Sequence, residues 1–237
     1  MRQLLFYIST LLLVAGLNGS ANAQPQYYNY TGPGDGSNSF PFNISGGKDV
    51  QMLYLPGEFN QPTAAPTGNI TSISFYMNGG FGPATYTDLT LKLGQSAITT
   101  LTPGAFYSGS LTTVYYRSSV TLTASAGSWL TITLDTPFAY DPTRSLIIDI
   151  GHCNGTGTLG GTCAFKELSG VRRVWSSGGC PFTPYASSSV YVYHVGFTLT
   201  PTAIPTLSQW GLIILSVMLV ATGTIFILKR KNSPEIA

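Results

Sequence analysis

Apolar and polar residues alternate along much of the chain. In residues 89–93 and 130–134, leucine or isoleucine occupies every second position, with threonine or lysine between. The same period recurs at 120–122 and, with aromatic residues added, at 191–199. A period of two predicts β-strands that bury one face and present a hydroxyl-rich face to water.

A more apolar run and regular turn signals complete this pattern. Ser145–Ile150 is mostly apolar, which predicts a central strand. No stretch between residues 24 and 200 has helical periodicity. Turn dipeptides separate the runs at Gly79-Gly80, Pro103-Gly104, Gly127-Ser128 and Asp141-Pro142. We therefore predict an all-β domain of about ten short strands, a jelly-roll-like β-sandwich.

The N-terminal residues depart from this pattern. Arg2 precedes an apolar stretch, Leu4–Leu17, and Ala21-Asn22-Ala23 fits the small-x-small cleavage rule. The apolar stretch is shorter than the roughly 20 residues of a spanning helix. Residues 1–23 are therefore predicted to be a signal peptide that is cleaved before Gln24.

The C-terminal residues predict a membrane helix. Leu212–Leu228 has 17 residues without a charge, which as a helix would span about 25 Å. Lys229-Arg230-Lys231 follows directly. Because a basic cluster stays in the cytoplasm, we expect residues 229–237 to form a cytoplasmic tail and the β domain, residues 24–200, to lie outside.

Residues 201–211 link the domain to this helix and contain a motif. The motif is Ile204, Pro205, Thr206, Leu207, Ser208, Gln209, Trp210 and Gly211. With the helix and basic end behind it, this segment resembles the IPTL-CTERM sorting signal of Gram-negative bacteria, although Gln209 stands where the family usually has Glu. The resemblance implies export, transient anchoring in the inner membrane, and recognition by an exosortase-type sorting enzyme before display at the cell surface or release.

Two segments of the domain are also similar to known ones. Ile70–Tyr76, and Trp129–Ile150 with its Pro137-Phe138 turn, resemble parts of jelly-roll ectodomains from secreted bacterial surface proteins. This similarity supports the fold prediction and implies no activity.

Composition argues against a disordered chain and against nucleic-acid binding. Charged residues make up 8% of the chain against roughly 25% in ordinary domains, yet aromatic residues reach 12%, which argues against disorder. Residues 24–203 carry seven basic and eight acidic side chains, a net charge of −1. Because Arg172-Arg173 is the one dense basic pair in that range, nucleic-acid binding is not expected.

Export would place three cysteines in an oxidising compartment, so one disulfide and one free thiol are expected. We favour Cys153–Cys180, because both cysteines follow predicted strands, residues 145–151 and 171–175. Cys163 lies in the loop between them, and Cys153–Cys163 is the alternative pairing.

Catalytic and metal-binding motifs are missing from the sequence. His152, His194 and the cysteines match no standard zinc spacing, and no hydrolase motif is present. We therefore predict a protein that is not an enzyme and has no cofactor or metal. Asp35 with Asn38 is the candidate for a calcium site, because carboxylate and amide oxygens are the ligands that calcium prefers.

Acidic residues leave one catalytic alternative open. Most of them are interpreted as turn residues, including Asp35, Asp49, Asp88 and Asp141. A β-sandwich can nevertheless bring two carboxylates together, which is the arrangement that glycoside hydrolysis needs.

The predicted function is that of a surface protein whose non-catalytic domain serves in binding, adhesion or a matrix. Extracellular carbohydrate is the expected ligand class, because aromatic side chains stack on sugar rings. The candidates are Tyr107, Tyr115, Tyr116, Trp175 and Tyr185. The alternative is an anchored secreted hydrolase that acts on polysaccharide.

Replacement of Pro205-Thr206 by Ala-Ala tests the sorting motif. Both residues precede the predicted helix, so membrane insertion should be unchanged while the protein accumulates as an unprocessed membrane form. Mass and fractionation of the protein from cells with the sorting enzyme measure this. Normal processing of the variant would show that the motif is a linker. Neutral residues at 229–231 should instead disturb orientation.

Overall fold

The structure is a computed structural model that describes residues 24–43, 45–182 and 187–200 of the β domain and residues 207–231 of the tail. The chain divides into two compact units, Met1–Thr200 and Pro201–Ala237. The predicted signal peptide, Tyr185 and Ile204–Thr206 of the motif lie outside the described residues.

The described part of the first unit contains fourteen strands in two antiparallel sheets. The strands are β1 Tyr27–Tyr28, β2 Gly36–Asn38, β3 Lys48–Tyr54, β4 Gly68–Gly79, β5 Phe81–Ser96, β6 Thr112–Ala124, β7 Ser128–Tyr140, β8 Ser145–His152, β9 Asn154–Gly157, β10 Thr162–Glu167, β11 Arg173–Ser177, β12 Ser187–Ser189, β13 Tyr191–Tyr193 and β14 Val195–Thr200.

Each sheet has seven strands. The first sheet has the order β1-β14-β4-β10-β13, with β7 also paired to β4 and β2 to β10. The second sheet has the order β12-β11-β3-β8-β5-β6, with β9 also paired to β5. All pairings between these strands are antiparallel.

One apolar cluster fills the space between the sheets. Phe75 and Phe197 of the first sheet and Met52, Leu91 and Ile148 of the second belong to it, and all five are buried. Each comes from a stretch in which alternate residues are apolar, so the alternation places one face of every strand in this core. The prediction of an all-β sandwich is confirmed, and its jelly-roll topology stays a prediction.

Strand β8 is buried on both faces, as the apolar run at 145–150 predicted. All eight of its residues are buried. Its outward Ile147 packs with Leu53, Val174 and Leu101 in a second small cluster, because the loop between β5 and β6 folds over this part of the sheet. The outer face of the second sheet is therefore covered in part by this loop.

The described part of the tail is a helix, α1, at Leu207–Lys231. It begins at Leu207, so Leu207–Gly211, five of the eight residues of the predicted sorting motif, belong to the helix. Apolar side chains between Leu212 and Ile225 are exposed. Among the residues that the structure describes, no helix combines the length and the apolar character needed to cross a membrane.

A disulfide joins Cys153 to Cys180, with their Cα atoms 5.2 Å apart, which confirms the favoured pairing. The two strands that lead to these cysteines are not neighbours, because β3 lies between β8 and β11. Gly178 and Gly179 have φ angles of +110° and +106°, and this left-handed backbone turns the chain back toward Cys153. Cys163 is a buried thiol whose Sγ lies 3.6 Å from Sδ of Met77.

Removal of this disulfide should destabilise the domain. The two cysteines are 27 residues apart, and closing a loop of this length lowers the entropy of the unfolded chain by the equivalent of about 3.5 kcal/mol. Urea unfolding of a Cys153→Ser, Cys180→Ser variant should show this loss. The control is the parent protein, whose non-reduced peptide map should link the two cysteines. Recovery of Cys180 as an alkylated free thiol would contradict the pairing.

Candidate functional site

Three neighbouring strands place polar side chains side by side on the outer face of the second sheet. Asp149 of β8 lies opposite Gln51 of β3 and Lys92 of β5. One step along the sheet, Gly151 lies opposite Asp49 and Thr90. The residues between them point into the core, so the alternation that buries the inner face gathers these polar groups outside.

This polar region forms a small pocket, called here the acidic pocket. It encloses about 120 Å³. Its walls are formed by Asp49, Asp88, Thr90, Lys92, Asp149, Gly151, Cys153, Cys180 and Phe182. The disulfide that crosses β3 thus forms part of the wall. Three carboxylates and one ammonium group make the pocket acidic.

Hydrogen bonds fix one carboxylate of the pocket more firmly than another. Oδ2 of Asp149 accepts a hydrogen bond of 2.8 Å from Nε2 of Gln51. Its Oδ1 lies 3.3 Å from Nζ of Lys92. Oδ1 of Asp49 is buried and accepts no hydrogen bond from any residue described. The ionised form of Asp49 is therefore less well stabilised by neighbouring donors than that of Asp149.

Burial, followed by the neighbouring charge of Asp149, raises the pKa of Asp49 to about 7. The ammonium group of Lys92 and the backbone N–H of Val50 oppose this shift less strongly. A carboxyl group that is shielded from water and lies near a like charge favours its neutral form. Asp49 consequently exchanges a proton near neutral pH.

Asp88, another residue of the pocket wall, has an unusual backbone conformation. Its φ is +54°, the one positive value outside glycine among the residues described. The alternation of inward and outward residues shifts by one position there. Tyr86 and Leu89 are three positions apart in the strand, yet both point into the core. Its Oδ1 accepts a 2.7 Å hydrogen bond from the hydroxyl of Tyr116. A strained backbone of this kind is typical of functional sites.

The interpretation of Asp49 and Asp88 as turn residues is wrong, because they lie within β3 and β5. The sequence contained a signal for the pocket in Asp149, a charged residue inside the apolar run 145–150. The spacing of Tyr86 and Leu89, which breaks the period of two, was a signal for Asp88. Asp141 does occupy a turn, where its Oδ1 accepts hydrogen bonds from Thr143.

A second, larger concavity, called here the aromatic trough, lies where the end of β5 meets the β7–β8 turn. It encloses about 620 Å³, within the range of small-ligand sites. Its walls are formed by Thr67, Leu93, Gly94, Gln95, Tyr107, Ser110, Thr112, Phe138, Ala139, Tyr140, Asp141 and Arg144. Tyr107 and Phe138 are half-buried, and Arg144 is exposed. The trough thus offers aromatic surface beside a guanidinium group.

Hydrogen bonds connect the residues that line this trough. The side-chain amide of Gln95 donates to the carbonyl of Asp141 at 2.7 Å and accepts from its backbone N–H at 3.0 Å. Arg144 donates to the carbonyl of Gln95 at 2.9 Å. The backbone N–H of Tyr107 donates to Oε1 of Gln51 at 2.6 Å. Gln51 therefore connects the trough to Asp149 of the acidic pocket.

The structure disperses the aromatic residues predicted to stack on sugars. Tyr107 lines the aromatic trough. Tyr115 is buried, with the Arg117 guanidinium over its ring. Tyr116 is 49% exposed on β6. Trp175 packs on Phe40, with ring centroids 5.2 Å apart. Among the described members of this set, Tyr107 is the one that lines a concave site. The sequence alone does not distinguish it from the others.

Two cations are buried at one end of the core. Lys48 and Arg173 are 0% and 2% exposed, and both lie against the ring of Phe40, at 3.0 and 4.7 Å from its centroid. Arg173 also donates a hydrogen bond to the hydroxyl of Tyr193. Nζ of Lys48 has no hydrogen-bond partner in the described chain. Burial, and then the charge of Arg173, lower the pKa of Lys48 to about 7.

Neither member of the Arg172-Arg173 pair contributes to a basic surface, since both are buried. Arg172 donates to the carbonyl of Leu53 and, at 2.6 Å, to the carboxylate of Glu58. These bonds hold the turn that follows β3. The dense basic pair of the sequence is thus a structural element of the domain.

The remaining candidates for metal binding are engaged elsewhere or buried. Asp35 pairs with Lys166 at 2.7 Å, and Oδ1 of Asn38 accepts from the backbone of Phe40. His152 and His194 are buried, and burial lowers the pKa of His194 to about 4. Within the described ranges, no group of three or more His, Cys, Asp or Glu side chains is arranged to hold a metal ion.

Comparison with known proteins identifies the tail. Residues 202–225 match the sequence profile of the IPTL-CTERM motif. The resemblance seen in the sequence is therefore confirmed, and the match suggests a C-terminally sorted cell-surface protein. Among curated proteins, no sequence matches the chain.

Lys48 should make the stability of the domain depend on pH. The unfolded chain keeps this side chain protonated up to its ordinary pKa of 10.5, whereas the folded chain releases the proton near pH 7. The unfolded state thus binds more protons between these values, and the free energy of unfolding should rise by up to about 1.4 kcal/mol per pH unit.

Urea unfolding of residues 24–200 at pH 7, 8 and 9 measures this slope. Lys48→Met should remove it, because the apolar side chain cannot bind a proton. Lys166→Met is the matched control, since Lys166 is partly exposed and paired with Asp35. Equal slopes for the parent and Lys48→Met would contradict the expectation.

Proposed function

We propose that the chain is an exported, membrane-anchored and sorted cell-surface protein whose β-sandwich binds extracellular carbohydrate without catalysis. Such binding would serve adhesion or a surface matrix. The observation that carries the proposal is the aromatic trough, a hydrogen-bonded concavity on a domain whose tail has the IPTL-CTERM motif. The jelly-roll topology predicted from the sequence is part of this proposal.

The chemistry of the trough suits a neutral, hydroxylated ligand. The part-exposed rings of Tyr107 and Phe138 supply apolar surface of the kind that stacks on sugar rings. The Arg144 guanidinium carries five N–H donors, and one bond to Gln95 leaves most of them for ligand hydroxyls. Because Gln95 and Asp141 satisfy each other, the floor is organised before a ligand arrives.

Anchoring belongs to the same proposal. The uncharged segment 212–228 would be inserted in the inner membrane, with residues 229–237 in the cytoplasm. Its exposed apolar side chains, such as Leu212, Val217 and Val220, suit contact with lipid. An exosortase-type enzyme would then recognise the motif and pass the domain to the cell surface. Residues 1–23 would have been removed during export.

A hydrolase is the second candidate, and the acidic pocket is the observation that favours it. Asp49, with its pKa near 7, has the protonation behaviour of a general acid, and Asp149 is a second carboxylate beside it. The pocket encloses about 120 Å³, however, well below the roughly 300 Å³ at which small-molecule sites begin. Binding without cleavage is therefore the function that the geometry supports best.

Tyr107→Ala should weaken carbohydrate binding by roughly tenfold or more, because it removes an aromatic stacking surface of the trough. A glycan array with residues 24–203 identifies the ligand, and calorimetry with that ligand measures the loss. Tyr116→Ala is the matched control, since this tyrosine is exposed outside the trough. Arg144→Gln should also weaken binding while leaving the melting temperature near that of the parent.

Release of reducing sugar, measured beside the array, decides between the two candidates. The binding proposal expects no release from any polysaccharide that the domain binds. Steady release that Asp49→Asn abolishes would establish the hydrolase instead. An array without any bound glycan would reject carbohydrate as the ligand.

A further inference from the structure

The segment that follows the predicted cleavage site is fixed to β14 almost from its first residue. Pro25 is buried, and Gly196 makes room for it, since a Cβ at Gly196 would collide with the ring carbons of the proline. Oε1 of Gln26 accepts a 3.0 Å hydrogen bond from the backbone N–H of Leu199. Strand β1 then pairs with β14 as well. These contacts set the position of Gln24, the first residue of the predicted mature chain.

Gln24 lies on the wall of a pocket beside β4, β7 and β14, called here the N-terminal pocket, which encloses about 430 Å³. Its wall includes Gln24, Ser74, Trp129, Thr131 and Thr198, and all ten of its lining residues are uncharged. The hydroxyl groups of Ser74 and Thr131 form a hydrogen bond with each other at 2.9 Å. The pocket thus offers aromatic and hydroxyl surface, and its wall contains no carboxylate.

A free N terminus at Gln24 would place a positive charge beside this pocket. Removal of residues 1–23 would leave an α-amino group, which is largely protonated at pH 7. An ammonium group is best stabilised by a carboxylate, and the wall of the N-terminal pocket supplies none. A neutral end of the chain therefore suits the pocket better than a charged one. Gln24 is exposed, so its amine and its side-chain amide are open to reaction.

We propose that Gln24 is converted to pyroglutamate once residues 1–23 are removed, and that its lactam ring rests against the N-terminal pocket. The neutral fraction of the α-amino group attacks Cδ of the side-chain amide. A bond forms between the α-nitrogen and Cδ, the bond between Cδ and Nε2 breaks, and ammonia leaves with one proton from the amine. Neither an oxidant nor a reductant is consumed. The inference rests on the proposed function, because cleavage before Gln24 exposes the amine.

The product of this reaction matches the wall of the pocket. A lactam is uncharged and presents one N–H donor and one carbonyl acceptor on an otherwise apolar ring. The hydroxyl groups of Ser74 and Thr131 and the aromatic surface of Trp129 are complementary to these features. Because Pro25 and Gln26 are already fixed, little conformational entropy is lost when the ring settles there.

The test is mass spectrometry of the full chain, expressed from its first residue in a Gram-negative host. An amine-reactive label is applied to the folded protein before digestion, so that cyclisation during digestion does not contribute. We expect an N-terminal peptide that begins at Gln24, lacks the label and is lighter than the unmodified peptide by one ammonia. The same peptide with a labelled amine and its full mass would overturn the proposal.

The matched control is Gln24→Asn. Its amide is one carbon shorter and would have to close a strained four-membered ring, so this variant should keep its free amine and take up the label. Ala21 and Ala23 are unchanged, so cleavage should occur at the same bond. Loss of ammonia and of the label in this variant as well would show that the modification has another cause, and would reject the proposal.

Nuclear magnetic resonance of the mature chain in detergent micelles tests where the ring lies. Nuclear Overhauser contacts should join the ring protons of residue 24 to side-chain protons of Trp129 or Thr131, which line the N-terminal pocket. Thr113, an exposed residue of β6 outside this pocket, should show no such contact. Ring signals without contacts to the pocket would show that the cyclised end lies free in solvent, and would reject the pocket as its site.

The outcomes distinguish this inference from the proposed function. A mature chain that begins at Gln24 with a free amine would reject the modification and leave export and carbohydrate binding in place. A peptide that still spans residues 23 and 24 would show that the leader is retained, and would reject the predicted cleavage together with the inference. Because the N-terminal pocket and the aromatic trough share no lining residue, Gln24→Asn should bind glycans with the affinity of the parent.

Discussion

Burial of the inner faces of the two sheets against each other is the constraint on which the other features depend. A strand that supplies a residue such as Met52, Leu91 or Ile148 to the core must direct the residues next to it in sequence outward. Antiparallel register then decides which outward residues become neighbours. Asp149 meets Gln51 and Lys92 because β8 lies between β3 and β5 in a fixed alignment. The acidic pocket is thus a product of the packing on the opposite side of the sheet.

Much of the fold was predictable because alternation is a local property of the sequence. The runs at 89–93, 130–134 and 145–150 lie in β5, β7 and β8, and the disulfide joins the expected cysteines. The pocket was not predictable, because residues 49, 92 and 149 are far apart in sequence. The order of the strands in the sheet brings them together, and local alternation does not determine that order. The same holds for the trough, where Tyr107 and Arg144 come from separate loops. Asp149 inside its apolar run was the strongest local signal.

The domain has few charged side chains, and several of them are buried. Lys48, Arg173 and Asp149 are buried, whereas hydroxyl and amide groups cover much of the surface. A buried charge is costly without a partner, and each of these uses a different one: an aromatic ring, a tyrosine hydroxyl, and Gln51 with Lys92. A small formal charge therefore coexists with strong local electrostatics, which total charge or isoelectric point does not reveal.

The position of β14 has a mechanical consequence. This strand ends at Thr200, the last residue before the tail, and it lies between β4 and the short β1. Its ladder with β4 extends from Val195 to Thr200, and Tyr27 and Tyr28 pair with its other edge. If the tail anchors the domain, as proposed above, flow and traction would reach the sandwich through this strand. When the pull follows the strand axis, the rungs of both ladders resist in shear and must yield together, so the attachment strand resists tension along its whole length.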